Sequence, residues 1–217
     1  MKDAFFERLY EIATKDKNVY VVSADVVASG LDKFKSDLPG QWINVGMAEQ
    51  NMVTVATGLA LSGKKVFTYA IVPSVTARCL EMIKINCSLM NLPVTTVGVG
   101  AGFSHEDSGP THHSTEDISF MRVLPNMTLL NASDSKMARE FADLACQISG
   151  PSYVRLDHGF LPVIYEKQRD FSKGFSVLKK GRDLWIIATG NMVHRALVEA
   201  APTREVPCSI GTVGSLT

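Results

Sequence analysis

The chain has 217 residues, and its 22 Lys and Arg balance 22 Asp and Glu, so the formal charge at pH 7 is zero. That balance gives no electrostatic footing for a nucleic acid or an anionic membrane. A hydrophobic content of 46% against 20% charged residues excludes extended disorder, and the length fits one domain of ordinary size with part of a second.

In chain order, a helical pattern over residues 3–16 comes first, then a β-branched run from Val19 to Val22. Trp42 to Val45, Lys65 to Tyr69, Val94 to Val97, Met127 to Leu130 and Ser152 to Leu156 read as further strands. Helical patterns over 48–62, 74–90, 116–123 and 134–148 lie between them. In the second of the five helices Met52, Val55, Ala56 and Leu59 fall on one face, and Ser133-Asp134 offers a cap ahead of Met137, Phe141 and Leu144. Strands alternating with helices of this length predict an α/β fold, a three-layer sandwich around a mostly parallel sheet. The expected domain spans 1–160. A charged connector over 161–182 leads to a shorter βαβ pattern over 183–217: Leu184 to Ala188, a helix from Asn191 to Ala201, and a strand from Val206 to Thr212. So small a unit cannot hold its own core.

The start, Met1-Lys2-Asp3-Ala4-Phe5-Phe6-Glu7-Arg8, lacks the apolar run of a secretory leader. No stretch approaches the ~20 apolar residues that span a bilayer. Cys79, Cys87, Cys146 and Cys208 form no C-x-x-C, so reduced thiols in a cytoplasmic protein are expected.

In a parallel α/β sheet, ligands collect at the carboxyl ends of the strands. Three loops qualify: Ser23 to Gly30, Gly46 to Met52, and the long Gly98 to Asp117. Glu49 opens a helix of small residues, where a first-turn carboxylate is favoured by the helix dipole even without a further role. The Gly98-x-Gly100-x-Gly102 string lacks the spacing of a dinucleotide loop. His105, His112 and His113 do not fit a zinc signature, so no metal site is expected on this chain.

The string Gly46-Met47-Ala48-Glu49-Gln50-Asn51-Met52 closely resembles the motif of thiamin-diphosphate enzymes, and within them the pyrimidine-binding domain of the transketolase family and of 1-deoxy-D-xylulose-5-phosphate synthase. Ser23-Ala24-Asp25 and Gly109-Pro110-Thr111-His112 match in the same order, and the likeness runs to about residue 165. The resemblance implies that Glu49 hydrogen-bonds N1′ of the cofactor's aminopyrimidine and favours its imino tautomer, whose nitrogen takes the thiazolium C2 proton. It implies that Asp25 lies near the cofactor, that Ser29 touches the substrate, and that His112 is catalytic and faces substrate or cofactor. Asp107 and His158 are further substrate-binding candidates. Tyr69, with Phe67 beside it, is the expected platform for the pyrimidine ring; core packing is the alternative for both.

The departures matter as well. His158 stands where relatives place a phosphate-gripping arginine, Gly100 where they place a second histidine, and Ser108 where an acidic residue precedes Gly-Pro-Thr-His. Imidazole is a weaker phosphate clamp than a guanidinium fork, which leaves Arg155 or a partner chain to supply charge. The sequence holds no Gly-Asp-Gly motif for the cofactor's diphosphate and Mg²⁺. The expectation is therefore a split enzyme. An N-terminal transketolase subunit would supply the diphosphate and Mg²⁺ ligands around a homodimer core of this chain, and the reaction would be transfer of a two-carbon ketol unit between sugars or sugar phosphates. The alternatives are a deoxyxylulose-phosphate-synthase-like enzyme, a thiamin enzyme of the 2-oxoacid dehydrogenase β type, or a catalytically silent scaffold.

Overall fold

The computed structural model describes residues 1–26, 28–165 and 170–199, without the side chain of Ser29, and the backbone alone of 208–213 and 215–216. Helix α1 (Lys2–Ala13) is followed by β1 (Val19–Ser23), α2 (Ser29–Asp37), β2 (Trp42–Asn44), α3 (Glu49–Leu61) and β3 (Lys65–Ile71). The pattern over 74–90 does not form one helix. It is divided into α4 (Val72–Val75), a 3₁₀ turn (Ala77–Cys79), α5 (Leu80–Met82) and a π-helical stretch (Ile83–Leu89). Pro73 starts this segment, and at Thr76 the backbone leaves helical geometry with ψ −80° while its hydroxyl donates to the Val72 carbonyl at 2.6 Å. Next come β4 (Val94–Val99), α6 (Asp117–Arg122), β5 (Thr128–Asn131), α7 (Ser135–Gln147) and β6 (Ser152–Leu156). Asp134 caps α7 as the sequence suggests, accepting from the Met137 amide at 2.8 Å. Its second oxygen takes the amides of Ile164 and Tyr165, which ties the chain beyond β6 to the same helix end.

Six parallel strands in the order β5-β6-β4-β3-β1-β2 form the sheet, and a two-residue strand, β10 (Ser215–Leu216), pairs antiparallel on the β5 edge. Side-chain alternation sends each strand's residues to two cores. On one face Val19, Val21, Phe67, Tyr69, Val154 and Leu156 pack with α1, α2 and α7, including Phe5, Phe6 and Phe141. On the other face Val22, Val66, Ala70 and Tyr153 pack with Met52, Val53 and Ala56 of α3 and with Ile83 and Cys87. Helices on both faces make the predicted three-layer α/β sandwich. Cys79 and Cys87 are buried and unpaired, and burial pushes the Cys79 thiol up to about 12.

The stretch over 161–182 is more than a connector. It contains β7 (Phe175–Lys179), which pairs antiparallel with β9 (Cys208–Val213). With β8 (Leu184–Ala188) parallel to β9 and α8 (Met192–Glu199) packed against them, the second unit begins before residue 183. Among the described residues no helix is long and apolar enough to cross a membrane.

Candidate functional site

Strand β2 ends at Asn44, whose side chain organises two loops at once. Its Oδ1 accepts from the amides of Asp25 (3.1 Å) and Gly46 (3.0 Å), and its Nδ2 donates to Asp25 Oδ1 at 3.2 Å. Asp25 is thereby held exposed after β1 with φ 59°, a left-handed conformation that is uncommon outside glycine but that Asp and Asn tolerate. Gly46, at φ 71°, makes the reversal that starts α3 with Glu49 at the carboxyl edge of the sheet.

The Glu49 side chain is only 8% exposed although it sits at a helix start. Arg78, in the 3₁₀ turn after β3, donates from Nη1 to Glu49 Oε2 at 2.8 Å, while Arg78 itself is 55% exposed. The neighbouring Gln50 donates to the Arg78 carbonyl at 3.1 Å. Among the described residues Glu49 Oε1 makes no hydrogen bond, so a whole carboxylate oxygen remains for a ligand.

Phe67 and Tyr69 do not join this corner. Both are buried on the opposite face of the sheet, Tyr69 edge-on to Phe6 with ring centroids 4.6 Å apart and Phe67 tilted against Phe5 at 6.2 Å. The strand's period of two puts 67 and 69 with α1, and 66 and 70 with α3. The stacking role expected for both gives way here to core packing. Ser29 opens α2, and its side chain lies outside the described residues.

The other corner lies at the same edge, with β1 and β3 between β2 and β4. The long loop after β4 is closed at its base by two Gly102–Ser114 backbone hydrogen bonds of 2.9 Å. Two of its imidazoles gather with His158, which follows β6: His105 lies 4.6 Å from the His158 ring and 5.9 Å from the His112 ring. His113 Nε2 donates to the His105 carbonyl at 3.1 Å. Burial, and then the neighbouring imidazoles of His158 and His112, push His105 below its ordinary value. Gly100 is required beneath it, since its φ is 83° and a Cβ there would overlap the His105 ring at Nε2 and Cδ2. Thus the ring of His105 fills the space that a side chain at position 100 would take. Asp107 is exposed in a short 3₁₀ turn, His158 is exposed, and His112 is half-buried.

Arg155 does not supply the missing charge. Its Nε donates to Asp117 Oδ2 at 2.6 Å and its Nη2 to Oδ1 at 3.3 Å; Asp117 is fully buried and also accepts from the Tyr153 hydroxyl at 2.7 Å. Asp157 is buried too, its Oδ1 bonded to Ser104 and Asn191, and burial raises its carboxyl above the ordinary range. Among the described residues no group of three or more His, Cys, Asp or Glu side chains is arranged to hold a metal ion.

Three residues escaped the sequence reading: Asn44 and Arg78 had no role in it, and His105 was seen without one. Asn44 carried a local signal, since Asn at a strand end before Gly favours side-chain bonding to nearby amides. Arg78 had none, because 29 residues separate it from Glu49.

The transketolase pyrimidine-binding domain family matches residues 1–163. The chain is 36% identical over 202 residues to a 6-deoxy-6-sulfo-D-fructose transketolase subunit, SqwH, from Clostridium sp. (strain MSTE9), covering 92% of this chain and 63% of that protein. It is 34% identical over 207 residues to a subunit of the apulose-4-phosphate transketolase from Phocaeicola vulgatus, covering 94% and 66%. The chain thus spans about two thirds of the length of these curated relatives. A solved structure described as a split-gene transketolase, inactive β4 tetramer, superposes with a TM-score of 0.87 at 31% identity, over 99% of this chain and 71% of the other. The transketolase of Campylobacter jejuni, at 21% identity and TM-score 0.88 over 99% of this chain and 35% of the other, shares the fold.

Proposed function

The chain belongs to the transketolase pyrimidine-binding domain family, and we propose that it is the C-terminal subunit of a split, thiamin-diphosphate-dependent transketolase. Its partner would be a chain that carries the diphosphate and Mg²⁺ ligands. The observation that carries this reading is Glu49: a sheltered carboxylate at the carboxyl edge of the sheet, one oxygen held by Arg78 and the other unclaimed. That arrangement fits the aminopyrimidine end of the cofactor. Phe67 and Tyr69 lie in the core against α1.

When bound, the cofactor supplies the electron sink for carbon–carbon bond cleavage and formation. Glu49 Oε1 would hold the proton at the pyrimidine N1′, which is the protein's contribution to activating the cofactor. Asn44 fixes the loop carrying Asp25 beside it. At the other corner His112 would face the reacting sugar, with His158 and Asp107 toward its hydroxyls or anionic end, and Ser29 at the start of α2. The names of the two curated relatives point to a ketose with a phosphate or sulfonate as the substrate class. With Arg155 engaged by Asp117, the charge that grips such an end would come from the partner chain. A cytoplasmic hetero-oligomer in carbohydrate metabolism, built on a homodimer of this chain, completes the proposal.

The test is reconstitution with the partner chain, thiamin diphosphate and Mg²⁺, followed by a ketol-transfer assay. Glu49→Ala should lower turnover on the order of a hundredfold or more while the far-ultraviolet circular dichroism is unchanged. A variant with near-normal turnover refutes the role of Glu49, and a fully assembled complex with no transfer activity favours the scaffold reading.

A further inference from the structure

We propose that Arg78 is a positioning residue for Glu49: its guanidinium holds Oε2, so that Oε1 alone is offered to the cofactor ring. The inference rests on the role of Glu49 proposed above and adds to it the group that decides which oxygen is used. Of the four other arginine–carboxylate pairs among the described residues, the two in which two guanidinium nitrogens reach the two oxygens set the standard of comparison. Arg8 binds Asp143 through Nε and Nη2, one to each oxygen, at 2.8 and 2.6 Å. Arg155 binds both oxygens of Asp117 in the same way. Both are forks that engage the two carboxylate oxygens at once. Arg78 instead makes a single contact from Nη1 and leaves the second oxygen without a partner among the described residues.

The placement of Arg78 is built from several sides. Glu49 takes its side chain and the adjacent Gln50 takes its backbone carbonyl, so the first turn of α3 grips one residue twice. The turn that carries Arg78 is fixed in turn by Thr76, whose hydroxyl bonds the Val72 carbonyl, and by the buried Cys79, whose thiol donates to the Ser74 carbonyl at 3.2 Å. Without the guanidinium, the terminal torsion of a glutamate is broad and nearly two-fold, so either oxygen could face either way. A charge-assisted hydrogen bond to one oxygen removes that freedom before any ligand arrives.

The test uses the complex of this chain with its diphosphate-domain partner, Mg²⁺ and thiamin diphosphate, comparing wild type, Arg78→Met, Arg78→Lys and Glu49→Gln. Three readouts are taken: the cofactor Kd by calorimetric titration, the near-ultraviolet dichroism bands that separate the amino and imino tautomers, and kcat against KM for the ketose donor. Arg78→Met should weaken cofactor binding about tenfold, diminish the imino band, and lower kcat with KM unchanged. Arg78→Lys, which keeps a cationic donor, should recover most of each. If Arg78→Met keeps the Kd and the imino band while Glu49→Gln loses both, the role of Arg78 is overturned and that of Glu49 stands. If Glu49→Gln keeps both, the reading of Glu49 falls and this inference with it. A loss confined to the unfolding midpoint of Arg78→Met makes the pair a stability device and likewise overturns the proposal.

Discussion

At the carboxyl edge of one sheet, two corners each hold an arginine–carboxylate pair, and they are built in opposite ways. Below the long loop, Asp117 is fully buried, Arg155 is 13% exposed, both carboxylate oxygens are occupied, and Tyr153 adds a third donor. At the start of α3, Glu49 is sheltered but Arg78 is 55% exposed, and one oxygen is left over. A buried charge that is fully satisfied can only hold structure, and removing its partner leaves an uncompensated charge in a low-dielectric interior. A sheltered carboxylate with spare acceptor capacity can still engage a ligand. Thus the count of unclaimed lone pairs, more than the presence of an ion pair, separates the two roles.

The widest separation of the two corners is expected from carboxylate deletion. Asp117→Ala should cost about 3–5 kcal/mol of stability, because Arg155 stays buried without its counter-ion; urea unfolding measures it. Glu49→Ala should leave the urea midpoint close to wild type, and equal losses in the two variants would erase the distinction.

Next in size, Gly100→Ala sharpens the view of the long loop as a packed unit. The new methyl group meets His105 at a backbone angle of +83°, so a loss of about 1–3 kcal/mol is expected in thermal unfolding, together with a shift of the His105 ring resonances.

A smaller, pH-dependent effect belongs to Asp157 at the same corner. Burial raises its carboxyl in the folded chain above the ordinary 3.8, against the opposing hydrogen bond from Ser104. The folded state therefore binds the proton more tightly than the unfolded state. Its contribution is fully present below 3.8 and is lost as pH rises through the folded value. Asp157→Asn should flatten that part of the stability–pH curve, and an unchanged curve would show that Asp157 does not titrate in this way. The smallest effect is expected at Arg78. Arg78 is itself half-exposed, so its replacement by Met should cost the isolated chain about 1 kcal/mol, the penalty of leaving the sheltered Glu49 carboxylate without that donor.

Much of this organisation was legible in the order of residues. Period-two runs separated by amphipathic helices gave the parallel sheet, and Gly46 to Met52 located the carboxylate at a helix start. The cap at Asp134 was visible because it is local. Strand β7 was not: its pairing partner β9 lies some thirty residues downstream, and Lys and Gly around it read as a surface connector. The long pattern over 74–90 promised one helix because its apolar spacing is helical throughout. Pro73 and the turn at Thr76 divide it, and that division places Arg78 beside Glu49. The departure at Gly100 read as a lost histidine, whereas His105 folds back over it from five residues away.

Sequence alone determined the layers, the parallel sheet and the carboxylate that begins α3, because each follows from periodicity or from bonds between near neighbours. It could not determine which way Phe67 and Tyr69 point. In a sheet buried on both faces, alternation carries apolar residues to each side and gives no label for the side that meets the ligand. Only tertiary structure sent those two rings to α1, locked Arg155 onto Asp117 and brought Arg78 to Glu49, since each contact joins segments whose meeting is decided by how the layers close.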